Sequence, residues 1–392
     1  MTLGDRLDDA TGHLPAPLAV VDLDALDANA ADLVRRAAGT PIRVASKSVR
    51  VRAVLDRVLA LDGFAGVMAY SLREALWLAR EGVSDVLMGY PTVDSGALDE
   101  LASSSELTAA VTLMVDDVAQ VDLAAKAAAA HGTTIRVCLD IDASLRLGFG
   151  PLRAHLGVRR SPIHTPGQAE ELARAITLRD GIEVRGLMFY EAQVAGMPDA
   201  SPAVRLVKAF SIRDLASRRS LVVDAVQQGT GYPLTLVNSG GSGSVESSVS
   251  DAAVTEVTAG SGLFVPTLFD QYRSFEPRPA AFFGLDIVRI PALGYATAYG
   301  GGYIASGPPT ASRQPLPVFP GGLALTGREG AGEVQTPLRV SGRADLRVGD
   351  RVWFRHAKAG EVMERFADVH LVRGHAIEAT APTYRGEGKT FG

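Results

Sequence analysis

Eight short apolar runs, each followed by a helical pattern, dominate residues 42–258 of this 392-residue chain. They are Ile42–Ser48, Phe64–Tyr70, Asp85–Tyr90, Leu107–Val115, Ile135–Ile141, Val184–Tyr190, Leu234–Asn238 and Thr255–Thr258. Strands that read as apolar throughout, with no polar alternation, belong to a parallel sheet covered on its outer face by helices. Eight strand–helix units imply a closed (β/α)8 TIM-type barrel in preference to an open doubly wound sheet. Helix boundaries support the same rhythm. Ser71 and Glu74 form a capping-box pattern ahead of Leu72–Arg80, which Gly82 stops, and Asp116 is placed to cap Val118–Ala130, which Gly132 ends.

The barrel pattern is bracketed by two different segments. Leu18–Leu23 reads as an extra strand, followed by a helix from Asp24 to Ala38. After Phe275 the chain turns to Pro277, Pro279 and Pro291, the triplet Gly300-Gly301-Gly302, and short alternating strands at Leu338–Val340, Arg351–Arg355 and Val369–Val372. That is the pattern of an all-β domain. The expected organisation is an N-terminal segment (1–23), a barrel (24–275) and a C-terminal β-domain (276–392).

Composition narrows the function classes. A hydrophobic content of 47% with 21% charged residues is globular. The net charge is -5 and no basic patch with interleaved aromatics occurs, so nucleic acid is not an expected partner. No run of about 18 uncharged apolar residues occurs, so no membrane span is expected. The N-terminus lacks an apolar signal-peptide region, and the one cysteine, Cys138, reads as a small core residue in a reducing compartment. A cytoplasmic protein is expected.

In a barrel of this kind, functional residues gather after the carboxyl ends of the strands. The first barrel strand runs into Ser46-Lys47-Ser48, where a lysine at a buried strand end would present a nucleophilic amine. The seventh and eighth run into Asn238-Ser239-Gly240-Gly241-Ser242-Gly243-Ser244 and Ala259-Gly260-Ser261-Gly262. Glycine amides and serine hydroxyls at those two positions suit a phosphate group. An aldehyde-reactive lysine and a phosphate cradle together point to pyridoxal 5′-phosphate across the barrel mouth. The sixth strand ends on Tyr190, which by itself reads as a strand-end core aromatic, and the loop after the fifth carries Arg146, with Asp140 and Asp142 as candidate ion-pair partners.

Ala45-Ser46-Lys47-Ser48-Val49-Arg50, the Asn238–Ser244 loop and the β-rich C-terminal segment resemble the fold-type III pyridoxal phosphate enzymes. These include alanine racemase, D-threonine aldolase and D-serine dehydratase. Gly332–Leu338, Trp353–Glu361 and Pro382–Lys389 resemble the D-threonine aldolase-like branch described as amino acid deaminase/aldolase. The resemblance implies a lyase acting on a β-hydroxy-D-amino acid, with Lys47 as Schiff-base lysine. It places Ser239, Gly241, Ser242, Gly243, Gly260 and Ser261 around the phosphate, Tyr190 against the cofactor, and Arg146 near the pyridine or the substrate carboxylate. It further implies Gln193 and Lys358 facing the substrate, catalytic roles for His356 and Lys358, pairing of the first strand with the β-domain, and a homodimer. The alternatives are a racemase or epimerase and a non-catalytic pyridoxal phosphate carrier.

Two departures from that pattern matter. The relatives hold a divalent metal with a histidine and, two residues on, an aspartate or cysteine. This chain reads His356-Ala357-Lys358. A protonated lysine has no lone pair for a metal, so no divalent metal is expected, and His356 and Lys358 read otherwise as a packed residue and a solvated one. The stretch Glu191-Ala192-Gln193 also lacks the histidine the aldolases carry there.

Overall fold

The structure, a computed structural model, describes residues 2–148, 154–199, 201–273, 276, 278–308, 310–342 and 345–391. Phe275, where the expected domain boundary falls, and Pro277 lie outside the described residues. The chain divides into two compact units: Met1–Asp32, Lys47–Val58 and Gly260–Thr390 form one, and Leu33–Ser46, Leu59–Ala259 and Phe391–Gly392 form the other.

The second unit carries the barrel. After an opening strand β1 (Leu18–Asp22), the strands are β2 (Ile42–Ala45), β3 (Phe64–Ala69), β4 (Val86–Met88), β5 (Val111–Val115) and β6 (Ile135–Ile141). A small hairpin of β7 (Leu145–Leu147) and β8 (Ala154–Leu156) follows, then β9 (Ile182–Phe189), β10 (Leu236–Ser239) and β11 (Glu256–Ala259). The closed ring runs β10-β11-β2-β3-β4-β5-β6-β9, and its pairings are parallel. The fold is the expected (β/α)8 barrel.

The interior is filled in layers, as such barrels require. Leu87, Met114, Cys138, Met188 and Leu236, from five strands, meet in one apolar cluster with Met68 and Tyr190 against it. A charged layer lies toward the amino ends of the strands. Arg43, 1% exposed, binds Glu256 (2.6 Å) and Asp85 (2.9 Å), and Arg185 binds Asp85 (2.7 Å) and the Thr112 hydroxyl (3.0 Å). Asn238 donates to Glu256 (2.6 Å) and to Thr258 (2.8 Å). Against the cost of burial, Arg185 and Arg43 hold Asp85 well below the usual carboxylate range.

Four sequence expectations are corrected locally. Residues 107–110 are not strand: Ser104 caps a helix, Ser105–Ala110, and β5 starts only at Val111. The first barrel strand ends at Ala45, and Ser46–Ser48 is a 3₁₀ turn. The cap of Val118–His131 is Asp117, whose carboxylate accepts from the Ala119 amide at 2.7 Å; Asp116 instead pairs with Gln120. At Leu72–Arg80, Ser71 does accept from the Glu74 amide, but Glu74 reaches back to the amide of Tyr70 (2.7 Å) rather than to that of Ser71.

The first unit is built on a sheet of nine strands. Its strands besides β1 are β12 (Ala281–Ala292), β13 (Tyr295–Tyr299), β14 (Leu316–Phe319), β15 (Leu323–Leu325), β16 (Gln335–Val340), β17 (Arg351–Arg355), β18 (Asp368–Arg373) and β19 (Ala376–Pro382). β1 lies between β12, antiparallel with Leu18 opposite Gly284, and β18, parallel with Ala19 opposite Val369. All five β1 residues are buried, and Leu18 and Val20 pack with Leu7, Phe282, Trp353 and Val372. Among the described residues no helix is long and apolar enough to cross a membrane.

Candidate active site

Three neighbouring barrel strands feed the expected cofactor residues. β10 pairs with β11, Ser239 opposite Val257, and β11 pairs with β2, Ala259 opposite Val44. The three strands are parallel, so the chain leaves all of them at the carboxyl edge: into Gly240–Ser244, into Gly260–Gly262, and into Ser46–Ser48.

The Gly240–Ser244 loop is organised from within by Glu191, which follows β9 and is 2% exposed. Its carboxylate accepts from the Ser239 hydroxyl (3.0 Å), the Gly240 amide (3.1 Å), the Ser244 hydroxyl (3.2 Å) and the Ser248 hydroxyl (2.6 Å). A buried carboxylate is stable only when its lone pairs are filled in this way. Arg219 donates to the Ser239 hydroxyl (3.0 Å) and pairs with Asp251, while Arg36 donates to the Ser242 carbonyl (2.8 Å) and binds Glu246 (2.6 Å). Ser239 is therefore turned into the protein. Gly240 has a φ of +86°, and a Cβ built on Gly241 would lie 2.8 Å from Ala195 Cβ and 3.6 Å from Tyr190 Cε2. The loop thus needs glycine at both positions, and it packs beside the Tyr190 ring.

Around the barrel mouth, Tyr190 follows β9 and Tyr90 follows β4. The Arg160 guanidinium stands over both rings, 5.4 Å from the Tyr190 centroid and 5.7 Å from that of Tyr90. Burial pushes the Tyr190 hydroxyl up. Asp140, near the end of β6, is pushed up to about 7 by burial and by the charge of Asp116, with Arg160 opposing. Arg146 lies in β7 and is ion-paired with Asp142, one of the two partners expected for it. Against burial, hydrogen bonds from His164, Ser144 and Arg146 hold Asp142 well below the usual range. Gln193 donates to the Ala143 carbonyl (2.7 Å), and its buried Oε1 has no partner among the described residues.

The first unit holds Lys47, Gly260, Ser261, His356 and Lys358. Lys47 is exposed, which corrects the expected buried strand end, whereas Ser46 and Ser48 are buried. The turn is fixed on several sides. The Ser48 and Ser261 hydroxyls are 3.1 Å apart, and Arg50 donates to the Lys47 carbonyl (3.3 Å) and binds Glu364 (2.8 Å). Gly360, φ +89°, packs so closely that an added Cβ would stand 1.9 Å from the Lys47 carbonyl oxygen. His356 is 2% exposed, edge-on to Phe264, with its ring against the backbone of Ala281. Burial, aided by the Arg355 charge, pushes it down to about 3, so it is a neutral imidazole. The Lys358 ammonium donates to the Ser306 hydroxyl at 2.8 Å. Among the described residues no group of three or more His, Cys, Asp or Glu is arranged to hold a metal.

Glu191, Asp140, Arg160 and Gly360 did not stand out in the sequence as site residues. The signal for both carboxylates is their place at the end of an apolar strand, Asp140 on the parity of inward-facing Cys138 and Glu191 on the parity of Phe189, opposite to inward-facing Met188 and Tyr190; Arg160 and Gly360 carry no local signal.

Comparison with known proteins follows the same lines. The family model described as alanine racemase, N-terminal domain, matches residues 21–267. The chain is 26% identical over 258 residues to a 3-hydroxy-D-aspartate aldolase of Paracoccus denitrificans (strain Pd 1222), covering 64% of this chain and 61% of that protein. A second 3-hydroxy-D-aspartate aldolase of Paracoccus denitrificans is 28% identical over 188 residues, covering 47% and 44%. The chain thus matches less than two thirds of the length of these relatives. Among solved structures, D-threonine aldolase from Filomicrobium marinum superposes with a TM-score of 0.78 at 21% identity, covering 95% of each chain. D-threo-3-hydroxyaspartate dehydratase from Delftia sp. HT23 gives 0.74 at 20% identity, covering 94% of this chain and 97% of that one. At these identities the structural likeness is one of fold. With the family model spanning the barrel and a barrel of matching topology, the chain belongs to the alanine racemase N-terminal domain family, within the fold-type III pyridoxal phosphate group.

Proposed function

We propose that this protein is a pyridoxal phosphate-dependent lyase that cleaves or dehydrates a β-hydroxy-D-amino acid. The observation that carries the reading is the set of three adjacent parallel strands, two leading to glycine–serine loops and one to the Lys47 turn. The residues fit the cofactor. Gly240 and Gly241 leave no room for a side chain, and Gln193 Oε1 is a buried acceptor still to be satisfied. Phosphate contacts are assigned to Gly241, Ser242 and Gly243 with Gly260 and Ser261, and Ser239 supports the loop from behind. When bound, the cofactor supplies an electron sink for the bond broken at the substrate Cα.

This chain's residues supply the rest. Lys47 carries the cofactor and moves the proton at Cα. Tyr190 packs against the ring, and Arg146 acts through its pairing with Asp142. Gln193 accepts a hydrogen bond from the substrate amine or hydroxyl. His356, a neutral imidazole, offers a hydrogen bond rather than a charge, and the Lys358 ammonium supplies a fixed positive charge for the substrate hydroxyl or carboxylate. On this reading no divalent metal is required, since a lysine replaces the second ligand. A cytoplasmic homodimer is the assembly the reading carries. Incubating the holoprotein with D-threonine and D-3-hydroxyaspartate tests it: glycine plus an aldehyde, or a 2-oxo acid, supports the lyase. Isomers alone would make it an epimerase, and no turnover across a panel of β-hydroxy-D-amino acids would make it a carrier.

A further inference from the structure

Arg160 is the exposed cation at the barrel mouth with no hydrogen bond or ion pair among the described residues; its contacts are the two tyrosine rings. Its backbone is not loose. The next residue, Ser161, is buried and donates to the Asp140 carbonyl at 2.6 Å, and Ile163 returns its carbonyl to the Asp142 amide at 2.7 Å. The guanidinium is therefore anchored at the carboxyl end of β6 and laid across to Tyr90 after β4 and Tyr190 after β9. A cation–π contact of this kind engages the charge and not the N–H donors, which remain for a planar partner. Through Tyr190 it is one ring away from Gly241. The carboxyl of Asp140 holds its proton up to about pH 7, so it does not neutralise the arginine below that pH.

We propose that Arg160 is a specificity residue that pairs through its N–H edge with a carboxylate on the substrate side chain, which makes the preferred substrates β-hydroxy-D-amino acids with an acidic side chain. The assignment rests on the lyase reading and deepens it. A fork of parallel donors held in place recognises a carboxylate in two-point fashion, which a methyl group cannot return.

The test is calorimetric titration of the holoprotein with D-aspartate and D-alanine, which lack the hydroxyl, alongside kcat/KM for D-3-hydroxyaspartate and D-threonine. Wild type should bind D-aspartate at least ~10-fold more tightly than D-alanine. Arg160→Gln should weaken D-aspartate by ~30-fold or more while D-alanine moves less than ~3-fold, and Arg160→Lys should recover part of the loss. The kcat/KM values should divide in the same way. Equal affinities in wild type overturn the proposal whether or not the variants fold. Equal losses for both ligands also overturn it, since they mean that Arg160 serves a part common to both. If D-threonine is cleaved in either of those cases, the lyase reading stands alone. If instead D-aspartate binds through Arg160 but nothing is cleaved, the specificity assignment stands and the lyase reading fails.

Discussion

Removing the Glu191 carboxylate would orphan the Gly240 amide and leave the Ser239, Ser244 and Ser248 hydroxyls only the carbonyls of Phe189, Gly241 and Ser244. An orphaned buried donor costs about 1–3 kcal/mol unless water replaces the acceptor, and the loop loses the acceptor that ties its segments together. Glu191→Ala should therefore loosen the phosphate loop and weaken pyridoxal phosphate binding by ~10-fold or more, read by equilibrium dialysis, with Glu191→Gln less affected. Cofactor affinity unchanged in the alanine variant would contradict the role given to the loop. Asp140 allows a prediction with a sign. Its native pKa, about 7, lies above the unfolded value of 3.8, so the native state holds a proton that the unfolded chain releases. Stability from this group is complete below about pH 4 and is lost as pH rises through about 7. Denaturation of the apoprotein between those limits should show Asp140→Asn gaining on wild type with rising pH. A constant difference between the two would remove the buried, protonated carboxyl. At Lys358, substitution by alanine should lower kcat by ~100-fold while EDTA leaves wild-type turnover unchanged; turnover abolished by EDTA and restored by manganese or zinc would refute metal independence.

The Lys47 turn is the element on which the proposed chemistry depends, and Gly360 sets its position. Gly360→Ala would drive a methyl group to 1.9 Å from the Lys47 carbonyl oxygen at a φ of +89°, so one of the two segments must move. A loss of about 2–4 kcal/mol in stability, seen as a lower Tm, with defective cofactor retention is the expected outcome. Deep in the barrel, Arg43→Met would leave Glu256 without a counter-charge, held only by Asn238, and Asp85 with Arg185 alone, and should cost about 3–5 kcal/mol. The contrast between these two places shows what was legible in the sequence. All eight barrel strands could be found because buried parallel strands are apolar runs, and Leu72–Arg80 because its cap is local. Residues 107–110 were misread because Leu107 and the alanines suit either state, and the deciding signal was the Ser104 cap. The strand was carried too far at Ser46–Ser48 because the turn is held by the Ser46 hydroxyl on the Met68 carbonyl (3.0 Å) and by Gly360, both remote in sequence. Arg43 within an apolar run carried a visible signal, but its partners lie on other strands.

For the molecule as a whole, the fold is held in common with proteins only 20–21% identical over nearly their full lengths, so pattern and packing specify it rather than particular residues. The second half of β12, the turn after it and the ends of β13 expose Val288, Ile290, Leu293, Tyr295 and Tyr299. A second copy of the chain is the occupant we expect for that face, and light scattering should return twice the 41.1 kDa chain mass, with Ile290→Glu shifting it toward one. A monomer at micromolar concentration would remove the homodimer from the account. The central claim is that this barrel carries pyridoxal phosphate on Lys47. Borohydride reduction of the holoprotein followed by peptide mapping tests it most directly. The account predicts a pyridoxyl group on the peptide containing Lys47 and on no other lysine, absent in Lys47→Ala; reduction onto a different lysine, or no covalent adduct in protein saturated with the cofactor, would contradict it.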